Sequence, residues 1–261
     1  MYDWFFVIVF LRNFVFICFV SNFLAGEFWV FIGALQKTTL MDFPNKVACI
    51  VFLVNCNYKC KFCYNKELTS HKFFKKSKRE LIEEKDFFAF LAKHKKMLDG
   101  VVITGGEPTV SPGLHNFVKK IKALGFAVKL DTNGTNPHVL KKLFAENLID
   151  YIAMDFKAPQ SKYHEITQSK IPFERNLESI DLIRASGVAH EFRTTLYPKL
   201  TAKDLHKMSH FLKGEKWFLQ QFQPKQALHT PSRKLKPMKL SEIKDIIADV
   251  KDRVDVKLRG D

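Results

Sequence analysis

At 261 residues and 46% hydrophobic composition, the chain can bury a sizeable core and suits one large α/β domain or barrel better than two domains. Its five cysteines are an odd number, which argues against a disulfide framework and for a reducing cytoplasm. The formal charge of +15 admits a nucleic acid or an acidic protein as partner, but the lysines are scattered through helix-like segments such as Lys93 to Lys96 and Lys119 to Lys122, the pattern of a solvated face.

The first 34 residues are crowded with Phe, Val, Ile and Trp and interrupted by Arg12, Asn13 and Glu27. Three readings compete: a membrane contact from about Trp4 to Leu24, an uncleaved signal-like segment, or an upstream stretch from a wrong start site. An arginine near the middle of a span costs about 2.5 to 3.5 kcal/mol on insertion scales. Neither a basic start nor a clear small-residue cleavage site is present. Residues 1–34 are therefore read as an apolar extension and residues 35–261 as the catalytic domain.

After Leu35, short β-branched runs alternate with longer amphipathic segments, the signature of repeated βα units around a parallel sheet. The turn Asp42-Phe43-Pro44-Asn45 opens the series. Strands are predicted at Val47–Val54, Val101–Thr104, Ala127–Thr132, Tyr151–Asp155, Glu191–Leu196 and Trp217–Gln221, with Val254–Leu258 as a last candidate. Helices are predicted at Glu84–Lys96, Gly113–Leu124, Pro137–Glu146, Phe173–Ala185, Ala202–Leu212 and Leu240–Val250. Thr201, with Asp204 three residues later, makes a capping-box-like helix start.

Polar and liganding groups recur where these strands end. Cys56, Cys60 and Cys63 leave the first strand, Gly105, Gly106 and Glu107 the second, and Asp131, Thr132, Asn133 and Gly134 end the third. Asp155 and Lys157 end the fourth, Arg193 and Thr195 lie on the fifth, and Gln221-Phe222-Gln223-Pro224 closes the sixth. In a parallel βα barrel the carboxyl ends of the strands meet at one rim, so these six clusters are expected to converge.

The C-x3-C-x2-C spacing of Cys56, Cys60 and Cys63 puts three thiolates on one loop and supplies no fourth. An iron-sulfur cube held this way keeps one iron open, whereas structural zinc calls for four closed donors. Gly105 and Gly106 permit close approach to the backbone, and the Glu107 carboxylate can hold a cationic group. Cys49 lies inside the first strand and is read as a core thiol. The nine histidines show no metal-binding spacing; His206 and His210 are four apart but lack the glutamate of a zinc-protease pair.

With Cys56-Asn57-Tyr58-Lys59-Cys60-Lys61-Phe62-Cys63 followed by Thr104-Gly105-Gly106-Glu107-Pro108-Thr109, the chain resembles the radical S-adenosylmethionine (SAM) superfamily. The resemblance covers roughly residues 32–261. It implies an incomplete parallel (βα)6 barrel of the radical SAM type, a 4Fe-4S cluster on the three cysteines, and SAM chelating the open iron through its amino and carboxylate groups. It also implies that Phe62 lies beside the cluster and the adenine, with plain packing as the alternative, and that Gly105, Gly106 and Glu107 bind the SAM amino group. Asp131, Thr132 and Asn133 look like the Asp-Thr-Asn-Gly segment of glycyl-radical activating enzymes, and Asp155 with Lys157 looks like their Asp-x-Lys. In those relatives the two aspartates help hold a monovalent cation and the lysine approaches the SAM carboxylate. Structural ion pairs, Asp155 with Lys157 or Asp131 with Arg193, are the competing reading.

The runs Leu35-Gln36-Lys37-Thr38-Thr39-Leu40-Met41-Asp42-Phe43-Pro44, Phe52-Leu53-Val54-Asn55-Cys56-Asn57-Tyr58-Lys59-Cys60 and Leu130-Asp131-Thr132-Asn133-Gly134 are similar to activating proteins of anaerobic ribonucleoside-triphosphate reductase. Those resemble pyruvate formate-lyase activating enzyme in activity. The resemblance implies reductive cleavage of SAM to a 5′-deoxyadenosyl radical, removal of a glycine α-hydrogen from a partner enzyme, and flavodoxin or ferredoxin as an acidic electron donor. Two residues depart from the pattern: Asn45 stands where a glycine is usual, and Tyr64 replaces a histidine. No cysteine follows Cys63, so one cluster must serve. The enzymatic alternative is a small-molecule radical reaction such as the ring contraction that makes 7-carboxy-7-deazaguanine. A basic zinc or iron-sulfur protein on nucleic acid is disfavoured by the three-cysteine loop, the Gly-Gly-Glu motif and the lack of a base-stacking aromatic pattern.

Overall fold

A computed structural model describes residues 7–11, 14–18, 29–227 and 229–259. Strand β1 (Val7–Leu11) pairs antiparallel with β2 (Phe14–Cys18). The remainder of the apolar stretch from Trp4 to Leu24 lies outside the described residues, and among the described residues no helix is long and apolar enough to cross a membrane.

Eight further strands make one sheet: β3 (Ile32–Thr39), β4 (Ala48–Leu53), β5 (Gly100–Gly105), β6 (Ala127–Thr132), β7 (Tyr151–Asp155), β8 (Ala189–Thr195), β9 (Lys216–Gln220) and β10 (Asp255–Arg259). They lie side by side in chain order, β4 to β10 all parallel and β3 antiparallel to β4 at one edge. Each predicted parallel strand forms within one or two residues of its expected ends. The edges β3 and β10 do not pair with each other, which leaves the barrel incomplete, as expected.

Strand β3 was not anticipated, and the boundary expected between residues 34 and 35 falls inside it. Its first residue, Ile32, is fully buried and pairs with Leu53, but Gln36, Lys37 and Thr38 are exposed. An edge strand with one paired side keeps a polar half, which hides the alternation that marks a strand.

The predicted helices form as α2 (Glu84–Lys93), α3 (Leu114–Ala123), α4 (Pro137–Ala145), α6 (Glu174–Ala185), α7 (Ala202–Phe211) and α8 (Leu240–Val250). The capping box opening α7 is present, Thr201 accepting from Asp204 N and Asp204 accepting from Thr201 N. Two short helices, α1 (His71–Lys76) and α5 (Gln160–Thr167), were not anticipated. The polar α5 shows an apolar signal only at Tyr163 and Ile166, three apart, too little for a periodicity reading.

The period of two along each strand sorts residues onto two faces. The outer face, including Val51, Ile103, Leu130, Met154, Phe192 and Trp217, joins the helices in the main core. The inner face is apolar at one end and charged at the other. Phe43, in the turn after β3, packs with Ala48, Ile50 and Val102 and comes within 6.2 Å of the Tyr151 ring. It plugs the end opposite the carboxyl termini of the strands. Asn45 in the same turn has φ of 59°, the left-handed region that explains why glycine is the usual residue there and why asparagine serves.

The glycines after β5 allow a close approach of the protein's own backbone. Gly106 N donates to Leu53 O at 2.8 Å and Glu107 N to Asn55 O at 2.7 Å. A Cβ on Gly106 would lie 2.0 Å from Asn55 O, and Gly105 has φ of +121°. The pair thus presses the loop leaving β5 against the loop leaving β4. Gly106→Ala is expected to cost about 2 to 3 kcal/mol and lower the midpoint of thermal unfolding by about 8 °C. Gly187→Ala, where the methyl meets nothing within 4 Å, should show only the cost of its φ of +69°, about 1 kcal/mol. Calorimetry giving equal losses at the two positions would contradict the packing argument.

Candidate active site

At the carboxyl end of the sheet a cavity of about 340 Å³ is lined by residues from the segment after β4 and from the ends of β5 to β10 or the loops that follow them. Of the thirteen residues singled out in the sequence, twelve line it: Cys56, Cys60, Phe62, Cys63, Gly105, Gly106, Glu107, Asp131, Thr132, Asn133, Asp155 and Lys157. Arg193 does not. Its side chain lies behind the wall, between the two aspartates.

The cysteine loop has almost no secondary structure and is held from outside. Asn55 N donates to Leu68 O (2.8 Å), Cys56 N to Thr69 O (3.1 Å) and Lys59 N to Thr167 O (2.9 Å). Asn57 is clamped from the next-but-one strand, its Nδ2 donating to Thr135 Oγ1 (2.7 Å) and its Oδ1 accepting from Asn133 Nδ2 (2.8 Å). Tyr58 is buried and its hydroxyl meets those of Tyr163 and the Asn176 side chain. Phe62 packs against Tyr197, ring centroids 5.3 Å apart, with Lys157 Nζ 5.6 Å above its face, so the packing role given to it as an alternative is present.

Burial pushes the Cys56 and Cys63 thiols up from their ordinary range, and Cys60 to about 12. A bound cation would deprotonate them outright. Among the described residues no three His, Cys, Asp or Glu side chains are close enough to hold one metal ion. Three thiols that line one cavity fall short of the four donors of a closed zinc site and fit a cluster in which each sulfur takes a separate iron. Cys49 is fully buried in the main core, as read from its place inside the strand.

Glu107 is 1% exposed. Its Oε1 accepts from Thr109 N (3.1 Å), Thr109 Oγ1 (2.5 Å) and Thr132 Oγ1 (2.7 Å), and its Oε2 from Asn133 N (2.6 Å). Burial raises the pKa of this carboxyl, and the hydrogen bonds from Thr109, Thr132 and Asn133 work against the rise. Most of its acceptor capacity is spent on the protein, leaving Oε2 able to take a further donor.

Beside it runs a ladder of charges. Arg193 Nη1 donates to Asp131 Oδ2 and Arg193 Nε to Asp155 Oδ1, both at 3.0 Å, and Lys157 Nζ donates to Asp155 Oδ2 at 2.9 Å. Both ion pairs weighed from the sequence therefore form, with Arg193 bridging the aspartates. Burial alone would raise the pKa of Asp155, but Arg193 and Lys157 outweigh it and hold it at about 2. Asp131 Oδ1 is buried without a hydrogen bond among the described residues, with Lys129 Nζ 3.6 Å away.

Several lining residues have no role in the sequence reading: Tyr58, Thr69, Gln220 and Arg259 among them, and Tyr64 enters it only as a departure from the family pattern. Tyr64 Oη accepts from Gln223 N at 2.9 Å and so ties the cysteine loop to the segment after β9. Its position directly after the last cysteine was the available signal. Gln221 and Gln223 belong to the cluster expected after the sixth strand, whereas Gln220, Gln226 and Arg259 carry no signal, since polar residues near a strand end are common.

Comparison with known proteins agrees with this geometry. The profile of the Radical SAM superfamily matches residues 50–212. A Methanocaldococcus jannaschii protein with a provisional name as a glycyl-radical enzyme activating enzyme is 33% identical over 233 residues, 86% of this chain and 93% of its own. The 7-carboxy-7-deazaguanine synthase of Haemophilus influenzae is 32% identical over 126 residues, 48% of this chain and 50% of its own. In fold, SuiB of Streptococcus suis, solved with S-adenosylmethionine bound, aligns with a TM-score of 0.59 at 15% identity, covering 79% of this chain and 48% of that one. With a superfamily profile spanning the cysteine loop through α7, and a relative matched over nearly its whole length, this chain belongs to the radical SAM superfamily.

Proposed function

We propose that this chain is a glycyl-radical enzyme activating enzyme, that it holds a 4Fe-4S cluster on Cys56, Cys60 and Cys63, and that its partner is an anaerobic ribonucleoside-triphosphate reductase. The observation that carries the reading is the convergence of the cysteine loop, Gly105-Gly106-Glu107, Asp131-Thr132-Asn133 and Asp155 with Lys157 on one cavity. The 33% identity to a relative provisionally named for this activity supports the partner class. When bound, the cluster and SAM supply an electron and a homolysed carbon-sulfur bond, giving a 5′-deoxyadenosyl radical able to take hydrogen from carbon.

The chain's own residues position and insulate. The clamps on Asn57 and Lys59 hold the loop so that three sulfurs face the cavity without rearrangement of the barrel. Glu107 Oε2 retains acceptor capacity for an amino group. Lys157 Nζ spends one of its donors on Asp155 and keeps others for a carboxylate. Asp131 and Asp155 are the residues that would hold a monovalent cation, and Arg193 fixes both carboxylates. An open iron is reactive, which suits a reducing cytoplasm.

A second reading, a small-molecule reaction of the 7-carboxy-7-deazaguanine kind, draws on the 126-residue match to such a synthase. Incubation of the reduced protein and SAM with an anaerobic ribonucleotide reductase separates the two. A doublet glycyl-radical signal on the reductase by electron paramagnetic resonance is expected; SAM cleavage without it favours the second reading.

Alanine at Cys56, Cys60 or Cys63 is expected to reduce the iron held after anaerobic reconstitution to a minor fraction and abolish SAM cleavage. Cys49→Ala, in the core, should keep its iron. Iron analysis showing full loading of any of the three loop variants would remove the ligand assignment. The donor is flavodoxin or ferredoxin, both acidic. With a surplus of 42 Lys and Arg over 27 Asp and Glu, activation by such a donor should slow steeply as ionic strength rises from about 0.01 M to 0.15 M. A flat salt response would show that charge does not steer the donor.

A further inference from the structure

The side of the cavity built by β8 to β10 holds none of the groups assigned above. It consists of Thr195, Gln220, Gln221, Gln223, Gln226 and Arg259: four primary amides, a hydroxyl and a guanidinium. The guanidinium is already paired with a carboxylate. Arg259 Nη1 and Nη2 donate to the two oxygens of Glu191 at 2.8 and 3.1 Å, and its Cζ lies 3.8 Å from the centre of the Phe218 ring. A phosphate or carboxylate on the substrate would meet no unpaired cation on this wall.

The amides are available. Gln226 Nε2 donates to Gln223 Oε1 at 2.6 Å, which leaves the Gln223 amide nitrogen and the Gln226 amide oxygen without partners among the described residues. Gln221 Nε2 donates to the Met238 carbonyl at 3.1 Å, which orients that amide, and its Oε1 is buried with no donor. A donor and an acceptor set side by side is what the free edge of a strand presents. The wall is also fastened to the cysteine loop, Gln223 N donating to Tyr64 Oη (2.9 Å) and His229 N to Lys61 O (3.3 Å). Anything lying along it is held in fixed relation to the thiols.

We infer that Gln220, Gln223 and Gln226 bind the substrate by its main chain, as an extended, uncharged peptide segment read through its amides and not its side chains. This rests on the peptide-directed reading proposed above. A glutamine amide offers the same N–H and C=O as a peptide bond, and a neutral wall avoids leaving a charge unpaired when water is expelled. A glycine has no side chain, so at the target residue itself only the main chain is offered for recognition.

The test uses the reconstituted holoenzyme with SAM and two end-capped probes, pentaglycine and pentasarcosine, whose nitrogens are methylated. Binding is read by equilibrium dialysis. Pentaglycine is expected to bind, and pentasarcosine to bind at least about tenfold more weakly. The double variant Gln223→Leu/Gln226→Leu, at exposed positions, is expected to weaken pentaglycine binding by about tenfold as well. Equal binding of the two probes by the unmodified enzyme, equal binding of pentaglycine by the double variant, or no binding of pentaglycine overturns the inference. Deuterium transfer from α-deuterated pentaglycine into 5′-deoxyadenosine reports on the underlying reading separately. Transfer by both enzymes at equal pentaglycine affinity keeps that reading and removes the glutamine wall. No transfer from pentaglycine or from the reductase, with SAM cleavage stimulated by a carboxylate-bearing heterocycle, removes the reading itself.

Discussion

A carboxylate excluded from water must be surrounded by donors, and the site is organised around meeting that demand at Glu107. Its donors come from Thr109 in its own loop and from Thr132 and Asn133 at the end of β6. Hydrogen bonds to a charged acceptor contribute about 1.5 to 3 kcal/mol each, enough to offset a desolvation cost of several kcal/mol only when several act together. The ends of β5 and β6 are thereby welded. Asn133, fixed by its backbone bond to Glu107, presents its amide to Asn57, and the glycines before Glu107 lay the same loop on Asn55. The cysteine loop leans on both, and its order derives from a residue fifty positions away.

The inner face of the sheet divides by chemistry. Around Phe43 it is packed and apolar; beyond it Lys129, Asp131, Arg193 and Asp155 form one chain of ion pairs and Glu191 with Arg259 another. Buried ion pairs of this kind are weak sources of stability, because desolvation takes back most of the Coulombic gain. What they supply is orientation. Arg193 sets both aspartates at once, and Glu191, held by Tyr151 at 3.0 Å as well as by Arg259, ties the last strand across β8. The structural and functional readings of the aspartates are therefore compatible: a pair that positions carboxylate oxygens also decides which of them remains free.

The parallel strands were legible because each is buried on both faces or alternates cleanly, and the site because its residue types are rare in combination at strand ends. The cysteine spacing, the double glycine before Glu107 and the Asp-Thr-Asn run needed no tertiary information to be noticed. Strand β3 and helix α5 were not legible, since their burial comes from one-sided contacts that leave little periodicity. The roles of Asn57, Tyr58 and Tyr64 were hidden for a different reason. Each acts through a partner far along the chain, Thr135, Tyr163 and Gln223, and a single sequence does not say which distant residue a polar side chain will meet. The double glycine also permits an approach that the sequence does not show, that of the Asn55 carbonyl to Gly106.

The strand order has a temporal meaning as well as a spatial one. From β3 to β10 every strand pairs only with its sequence neighbours, so the sheet can be laid down one strand at a time as the polypeptide emerges during synthesis. The thiol-bearing segment follows the second of those eight strands, whereas Arg259 and the amides opposite it arrive with the last two. A nascent chain therefore exposes its sulfurs to the surrounding solution for most of its assembly, and the chamber around them is finished only when the final strand docks.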